Sequence, residues 1–174
     1  MNTETYAQLY AVVRLIFGIS ILFGLLGFVI AFVAQFEAKF LKYKKIGITL
    51  ILNAIFWGFL TFFSYTKLYD SVRNEIITLL KDPGTTIHQQ DSTFGKLSSD
   101  QLKKELIKIT DRDPGHSGYG ACMNLIVSNK KTKTFHIRIC KDTQRNNDYW
   151  IFTDRYRFIE VDDEIGRIYS DVLR

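Results

Sequence analysis

The sequence contains few of the residues that carry out chemistry in proteins. Its 174 residues include two cysteines, three histidines and two prolines. No CxxC pair is present, which removes the spacing typical of structural zinc sites. No Lys-Ser or Lys-Thr pair directly follows the glycine-rich segment at 113–120, as a phosphate-binding P-loop would require. We therefore expect no metal, no cofactor and no catalytic residue, and the sequence favours a binding or assembly function over an enzyme.

Two short clusters are the remaining candidates for a chemical site. His116 stands beside Ser117, but a catalytic triad depends on geometry across the fold rather than on adjacency, so a loop role is the simpler interpretation. Asp162, Asp163 and Glu164 have oxygen ligands suited to Ca²⁺ without the spacing of an EF-hand loop. We expect the acidic pair at 163–164 to stabilise the N-terminus of a helix instead.

Charge is absent from two long segments near the N-terminus. The segments Leu15–Ala34 and Ile46–Phe63 have 20 and 18 residues and contain no Asp, Glu, Lys or Arg. About 20 apolar residues cross the hydrocarbon core of a bilayer as a helix, whereas burying such a hairpin in a soluble protein would need far more surrounding chain. The sequence predicts an α-helical transmembrane hairpin of two spans over 1–66, followed by a soluble domain over 67–174.

The basic residues between the spans predict how the hairpin crosses the membrane. The linker at 35–45 carries four lysines against one acidic residue, Glu37, whereas the outer flanks have fewer and partly balanced charges. Loops rich in lysine stay in the cytoplasm. We expect a multi-pass protein of a bacterial inner membrane whose C-terminal domain is extracytoplasmic, in the periplasm.

Small residues recur on one face of each span and predict close helix packing. The candidates for membrane packing are Ser20, Gly24, Gly27, Ala31, Ala34, Gly47, Asn53, Ala54 and Gly58. Two interpretations stay open: the two spans pack on each other, or the faces drive self-association into a homo-oligomer. Asn53 fits either one, because an amide inside the membrane needs a partner on a neighbouring helix.

The rest of the chain has the pattern of a small α+β domain. Helical spacing continues beyond the second span to a stop at Asp82-Pro83-Gly84. A strand is predicted at 85–94 and a helix at 96–109, where Ser98 and Gln101 form a capping box. A loop at 110–120 leads into a meander of strands. This order predicts an α+β fold with an antiparallel sheet.

The segment 122–140 is predicted to be a β-hairpin centred on Lys131. In this register six apolar residues share one face, with Met123 opposite Ile139, Leu125 opposite Ile137, and Val127 opposite Phe135. The other face then places Cys122 directly opposite Cys140. Directly opposed side chains are near enough for a disulfide after modest adjustment, and an oxidising compartment permits one. Two free thiols are the alternative.

Two further strands and a terminal helix are predicted after the hairpin. The strands cover Asp148–Thr153 and Arg155–Val161, and the helix covers 162–174. Aromatic residues alternate along the first of these strands, so at least one is expected to face outward as a binding anchor, with core packing as the alternative. The candidates for an interaction surface are Tyr149, Trp150 and Phe152.

The C-terminal segments DYWIF at 148–152 and EIGRIYSDVL at 164–173 resemble the end of a group of small bacterial membrane proteins with two N-terminal spans. The resemblance covers the tail and the overall architecture. It implies the same order of a two-span hairpin and a C-terminal domain, and it assigns no catalytic residue, because the group has no established activity.

Three classes of function fit these expectations, of which an enzyme is the least favoured because no catalytic signature is present. The first is a membrane-anchored extracytoplasmic module that binds another protein, of the immunity, inhibitor or regulatory-subunit type. The second is an oligomeric membrane effector or pore with a soluble sensing domain. Acidic and basic residues are nearly balanced in the predicted domain, which indicates no nucleic-acid partner.

Overall fold

The computed structural model describes residues 2–36, 38–91, 95, 97–111, 118–130, 132–156 and 163–173. The chain divides into two compact units, Met1–Leu68 and Tyr69–Arg174. The division falls inside a helix, so a single element contributes residues to both units.

The first unit consists of two long helices. Helix α1 spans Thr3–Phe36, a 3₁₀ turn spans Ala38–Phe40, and helix α2 spans Leu41–Lys81. Both helices are long and apolar enough to cross a membrane, judged by length and composition. Their large apolar side chains are mostly exposed, and Phe59 reaches 72%. The predicted pair of long apolar helices is confirmed.

Small residues line the contact between α1 and α2. A Cβ atom built on Gly24 would lie 2.8 Å from the Cβ of Ala54, and one built on Gly27 would lie 2.6 Å from the carbonyl oxygen of Gly47. These separations leave no room for a side chain, so the glycines permit the close approach of the two backbones. In the structure, the small-residue faces of α1 and α2 pack on each other within one chain, which is the first of the two interpretations given above.

Helix α2 ends where the sequence predicts a stop. Its last residue is Lys81, and Pro83 disfavours a helical conformation in the residue before it. The turn is closed by backbone hydrogen bonds from Asp82 to Leu79 (3.1 Å) and from Thr85 to Asp82 (3.1 Å). The chain then enters the sheet directly.

The second unit is built on a five-stranded antiparallel sheet in the order β1-β2-β3-β4-β5. The strands are β1 Thr85–Gln89, β2 Tyr119–Asn129, β3 Thr132–Asp142, β4 Asp148–Thr153 and β5 Asp163–Tyr169. Helix α3, Ser99–Leu106, lies between β1 and β2 in sequence. Its capping box joins Ser98 and Gln101 as predicted. β1 is shorter than expected, and 92–94 of the predicted strand lie outside the described residues.

One face of the sheet carries the core of this unit. The predicted hairpin register is confirmed for all three apolar pairs, and every member of those pairs is at most 2% exposed. Apolar residues at the end of α2 and on α3 complete the core, namely Val72, Ile76, Leu80, Leu102 and Leu106. Beyond β4, Arg155 and Tyr156 donate hydrogen bonds to Glu75 of α2. The end of α2 is therefore part of the folded domain.

The helix predicted at 162–174 is wrong, because Asp163–Tyr169 of this segment form β5. Ile165 and Ile168 are three residues apart, which is helical spacing, yet both are buried on the core face of the sheet. A bulge explains the spacing: Ile151 pairs with Gly166 and Phe152 with Glu164, so Ile165 is an extra residue in β5. An inserted residue shifts the alternation by one and imitates a helical period. The acidic residue Glu164 consequently has no helix N-terminus to stabilise.

The strand predicted at 155–161 is not found in its described part. Asp154–Tyr156 form a bend after β4, and residues 157–161 lie outside the described residues. β5 takes the place beside β4 instead. Its outer edge is covered by Thr110, whose N–H donates to the carbonyl of Arg167 (2.9 Å). Gly166 permits this contact, because a Cβ on it would collide with the Thr110 carbonyl oxygen and the Ile109 side chain.

Candidate functional site

The candidate site lies on the face of the sheet opposite the apolar pairs, here called the outer face. Strand alternation directs one set of side chains to the core and the other set to this face. The outer set combines arginine and aromatic residues with polar ones, where an ordinary solvated sheet face would be polar throughout. Its members on β2 to β5 include Asn124, His136, Arg138, Trp150, Phe152 and Arg167.

Rings and guanidinium groups stack along the outer face in a continuous row. The guanidinium carbon of Arg138 lies 4.9 Å from the ring centre of Phe152, and Phe152 stacks on Trp150 at 6.3 Å. Arg167 lies over Trp150 at 3.9 Å. Tyr119 packs edge-on to Phe152 at 5.3 Å. We call these five residues the aromatic–arginine row; cation–π contacts of this kind stabilise the rings and hold the charges in place.

A buried carboxylate balances the charge at one end of the row. The Asp142 side chain is fully buried; it accepts hydrogen bonds from Trp150 Nε1 (2.8 Å) and from the backbone N–H groups of Gln144 (2.8 Å) and Arg145 (2.9 Å). Its Oδ2 lies 3.6 Å from Nη1 of Arg167, which is 5% exposed. Asp142 therefore fixes the indole ring and neutralises the buried guanidinium.

A polar cleft of ≈ 190 Å³ opens at the other end of the row. It is lined by Gln90, Asn124, His136, Arg138, Phe152, Thr153 and Asp154. The seven lining residues come from the end of β1, the middle of β2 and β3, and the end of β4. Antiparallel pairing brings these distant segments together, which is why the cleft is not visible as a sequence motif.

Two carboxylates hold the walls of the cleft. Asp154 accepts hydrogen bonds from the His136 backbone N–H (2.7 Å) and lies 2.6 Å from Nδ1 of the same imidazole. Asp91 accepts from the Asn124 amide nitrogen at 2.9 Å. The two acidic groups are thus engaged with their neighbours, and the positive group Arg138 stands against Phe152. The cleft offers a cation, an imidazole, amides and an aromatic wall to a ligand.

The chemistry of the cleft is suited to binding. No group of three potential metal ligands occurs among the described residues, and no hydroxyl or thiol nucleophile lines the cleft beside a base except Thr153. That hydroxyl donates to the carbonyl oxygen of His136 at 3.0 Å and is therefore already occupied. Arginine and aromatic groups are typical anchors for a protein or peptide partner.

The two cysteines lie on the outer face beside the row. Cys122 and Cys140 are register partners, as predicted, and their sulfur atoms are 2.03 Å apart, at disulfide distance. Cys140 also pairs with Trp150 across β3 and β4, and its side chain is fully buried. A covalent link at this point ties β2 to β3 underneath the aromatic–arginine row.

The other predicted site residues have varied positions. Tyr149 is fully buried on the core face, because its position in β4 has the opposite parity to Trp150 and Phe152, so it is not an outward anchor. Asn53 lies on the exposed side of α2. His116, Ser117 and Asp162 are outside the described residues. Apart from Asn53, the packing set from Ser20 to Gly58 lies between α1 and α2 or beside that contact.

Several residues of the outer face were not singled out from the sequence. The hairpin register predicted at 122–140 also puts Arg138 and His136 on the same face as the cysteines, so the spacing of these residues contains the signal. Arg167 was hidden by the helix prediction at 162–174, and the bulge that reverses that prediction depends on tertiary pairing. Asp142 ends β3 and gave no local signal.

Comparison with protein-family models, curated proteins and solved structures finds no match for this chain. The class of protein is therefore described from its fold and candidate site alone. It is a pair of long apolar helices joined to a five-stranded antiparallel sheet domain, with a polar cleft and an aromatic–arginine row on one sheet face.

Proposed function

We propose that this protein is a membrane-anchored binding module of a bacterial inner membrane. The two apolar helices form the anchor, and the sheet domain binds another protein on the extracytoplasmic side through its outer face. The observation that carries the proposal is the cleft itself, where Arg138 and an aromatic wall lie beside fixed polar groups. The role is of the immunity, inhibitor or regulatory-subunit type.

The exposed side chains of α1 and α2 support membrane insertion. Phe28 is 61% exposed and Phe62 71%, and they belong to a large set of exposed apolar residues along both helices. Soluble proteins rarely expose contiguous apolar patches of more than a few hundred Å². A lipid environment covers such a surface without the free-energy cost of exposing apolar side chains to water.

The direction of insertion is supported by charge and by the cysteines. Lysines crowd the linker at 35–45, which favours a cytoplasmic position for it. Both ends of the hairpin then leave the membrane on the outer side. A cysteine pair at disulfide distance fits an oxidising compartment, in which disulfides form and persist.

The outer face suggests how the partner is recognised. Arg138 is half-buried and its guanidinium group stacks on Phe152, which holds this cation in a fixed orientation at the cleft. Tyr119 is 49% exposed and supplies an accessible ring. We infer that an acidic side chain of the partner enters the cleft and that the rest of the segment covers Tyr119.

Site-specific photocrosslinking in cells tests the proposal. A photoreactive residue at Gln90, on the rim of the cleft, should give one defined adduct with a second protein, whereas the same group at the exposed Lys104 of α3 should not. Arg138→Ala should abolish the adduct. Lys141→Ala removes an exposed cation from the same strand and should leave it intact. Equal adducts from both probes, or none from Gln90, would rule out the cleft as the binding site.

The alternative of an oligomeric effector or pore rested on small-residue faces that join separate copies. Those faces meet inside one chain, where Gly24 contacts Ala54 and Gly27 contacts Gly47. This contact favours the anchored binding module over a pore built from that seam.

A further inference from the structure

Asn53 is a polar side chain in an unusual position. It lies within the charge-free run 46–63 of α2, about 10 Å from one end and about 15 Å from the other at 1.5 Å per residue. Its side chain is exposed on the outside of the helix pair. In the proposed anchor, this amide therefore faces the middle of the lipid.

The two threonines in this run of α2 form their hydrogen bonds within the helix. The Thr49 hydroxyl donates to the Lys45 carbonyl at 2.9 Å, and the Thr61 hydroxyl donates to the Trp57 carbonyl at 2.8 Å. The Asn53 amide makes no such bond to any residue that the structure describes. An amide has two donors and an acceptor that lipid cannot satisfy.

Helix α1 is not placed to supply the missing partner. Ala54 faces Gly24 of α1, and Asn53 is one residue earlier, about 100° around the helix. The neighbouring residues Leu52 and Ile55 are 58% and 50% exposed. The groups that satisfy Asn53 must come from another molecule.

We propose that α2 pairs with α2 of a second copy of this chain, with Asn53 hydrogen-bonded to its own counterpart. This rests on the membrane-anchoring part of the proposed function. A carboxamide both donates and accepts, so two identical amides satisfy each other across a two-fold axis. No charged residue lies in the run to attract an ion or a charged helix. The contact stripe alternates by three and four residues, comprising Ile46, Thr49, Asn53, Phe56, Leu60 and Phe63.

Within this stripe, Asn53 fixes the register in which the two copies of α2 align. Spacing of three and four is the seam pattern of a helix pair, and a single polar amide in such a seam specifies alignment and copy number. Ile46, Phe56 and Phe63 are each at least 51% exposed and flank the amide with apolar surface. The small-residue seam is used within each chain, so the two contacts are on different sides of α2.

Fluorescence energy transfer between labelled chains in phosphatidylcholine vesicles tests the pairing. Asn53→Leu should weaken association about three- to thirtyfold, the range of interhelical polar contacts in membranes. Asn53→Gln retains the amide and should associate like the wild type. Thr61→Val removes a hydroxyl already bonded to its own helix at a position outside the contact stripe, and should have little effect. Equal association of wild type and Asn53→Leu, or a monomeric wild type, would overturn the proposal.

Cysteine crosslinking provides a second measurement in native membranes. Phe56→Cys, which lies in the contact stripe and leaves the Asn53 amide in place, should give a dimer under mild oxidation, whereas Ile55→Cys on a different side of the helix should not. An adduct with another protein in place of a dimer would refute pairing with a second copy. Alkaline carbonate extraction separates the two proposals: if the chain is extracted, membrane anchoring fails, and if it stays integral but monomeric, only this inference fails.

Discussion

Asp142 shows how single residues shape the outer face. It is buried, and its carboxylate accepts three N–H groups while lying beside the guanidinium of Arg167. A buried charge is tolerated when hydrogen bonds and an opposite charge accompany it, and removing one partner leaves the other uncompensated. The indole of Trp150 is held by the same carboxylate. One acidic side chain therefore sets the geometry of both the ring and the cation.

The cysteine pair is a second feature at the scale of single residues, and we expect it to contribute to the stability of the domain. We expect Cys122→Ser with Cys140→Ser to fold with a lowered melting temperature. In the chain-entropy model a disulfide closing this loop contributes about 3 kcal/mol; the measured loss should be smaller, because hairpin pairing already holds the strands together. Thermal unfolding in detergent measures it, and alkylation without reductant should label neither cysteine in the wild type. Free thiols in fresh protein would contradict the pair and count against the topology.

Glu105 makes the stability of α3 depend on pH. Burial raises its pKa, but hydrogen bonds from Lys108 and Ser170 and the charge of Lys108 outweigh burial, so the pKa lies below its usual value. A lowered folded pKa stabilises the protein above the unfolded pKa of about 4.3, and this stabilisation is lost as pH falls through the folded pKa. Glu105→Gln should cost about 1 kcal/mol at pH 7, since Lys108 is half exposed.

Denaturant unfolding at several pH values measures the Glu105 effect. The difference in free energy of unfolding between wild type and Glu105→Gln should shrink as pH falls below about 4, because the protonated acid resembles the amide. A difference that stays constant from neutral to acidic pH would show that the charge of Glu105 has no part in it.

At the scale of elements, β5 and its bulge complete the sheet. Gly166 has φ of +153°, and the strand runs so close to Thr110 that no Cβ fits. Gly166→Ala should destabilise the domain by about 1–3 kcal/mol for the backbone alone, with a further cost for the displaced bridge. Gly120→Ala, where the nearest atom would be 3.6 Å away, is the matched control. Similar melting temperatures for the two variants would contradict the close approach.

The seam between α1 and α2 gives a second prediction at this scale. Gly24→Leu places a bulky side chain where Ala54 leaves no space, and should weaken helix packing by about 1 kcal/mol or more. Gly18→Leu on the same helix meets no atom within 4 Å and should be tolerated. Protease resistance of the helix pair in detergent compares them. Equal resistance of both variants would show that the seam does not hold the pair.

The elements differ in how far the sequence determines them. The hairpin register followed from alternation alone, because three apolar pairs and two cysteines all agree with one alignment. The end of α2 followed from Pro83. β5 did not, since its bulge gives Ile165 and Ile168 a helical spacing that only the partner strand resolves. The cleft could not be predicted from the sequence either, because four segments that are distant in sequence form its walls.

At the scale of the whole molecule, the side of the membrane on which the domain lies governs its partners and its cysteines. Alkaline phosphatase fused after Arg174 should be active, because that enzyme requires an oxidising compartment and the proposed topology, based on the lysines at 39–45, has the linker in the cytoplasm and the domain outside it. A cytoplasmic reporter at the same site should be dark. The reverse pattern would place the domain inside the cell and remove the basis for a stable disulfide.

The way α2 is shared between the two units determines the effect of proteolytic cleavage after this helix. The turn at 82–84 is a natural point of attack between the long helix and the sheet. Cutting there would not release an intact domain, because Val72, Ile76 and Leu80 belong to its core and would stay behind on the helical fragment. The released sheet would lack part of its own interior. Cleavage at this turn is therefore a means of destroying the domain and not of liberating it.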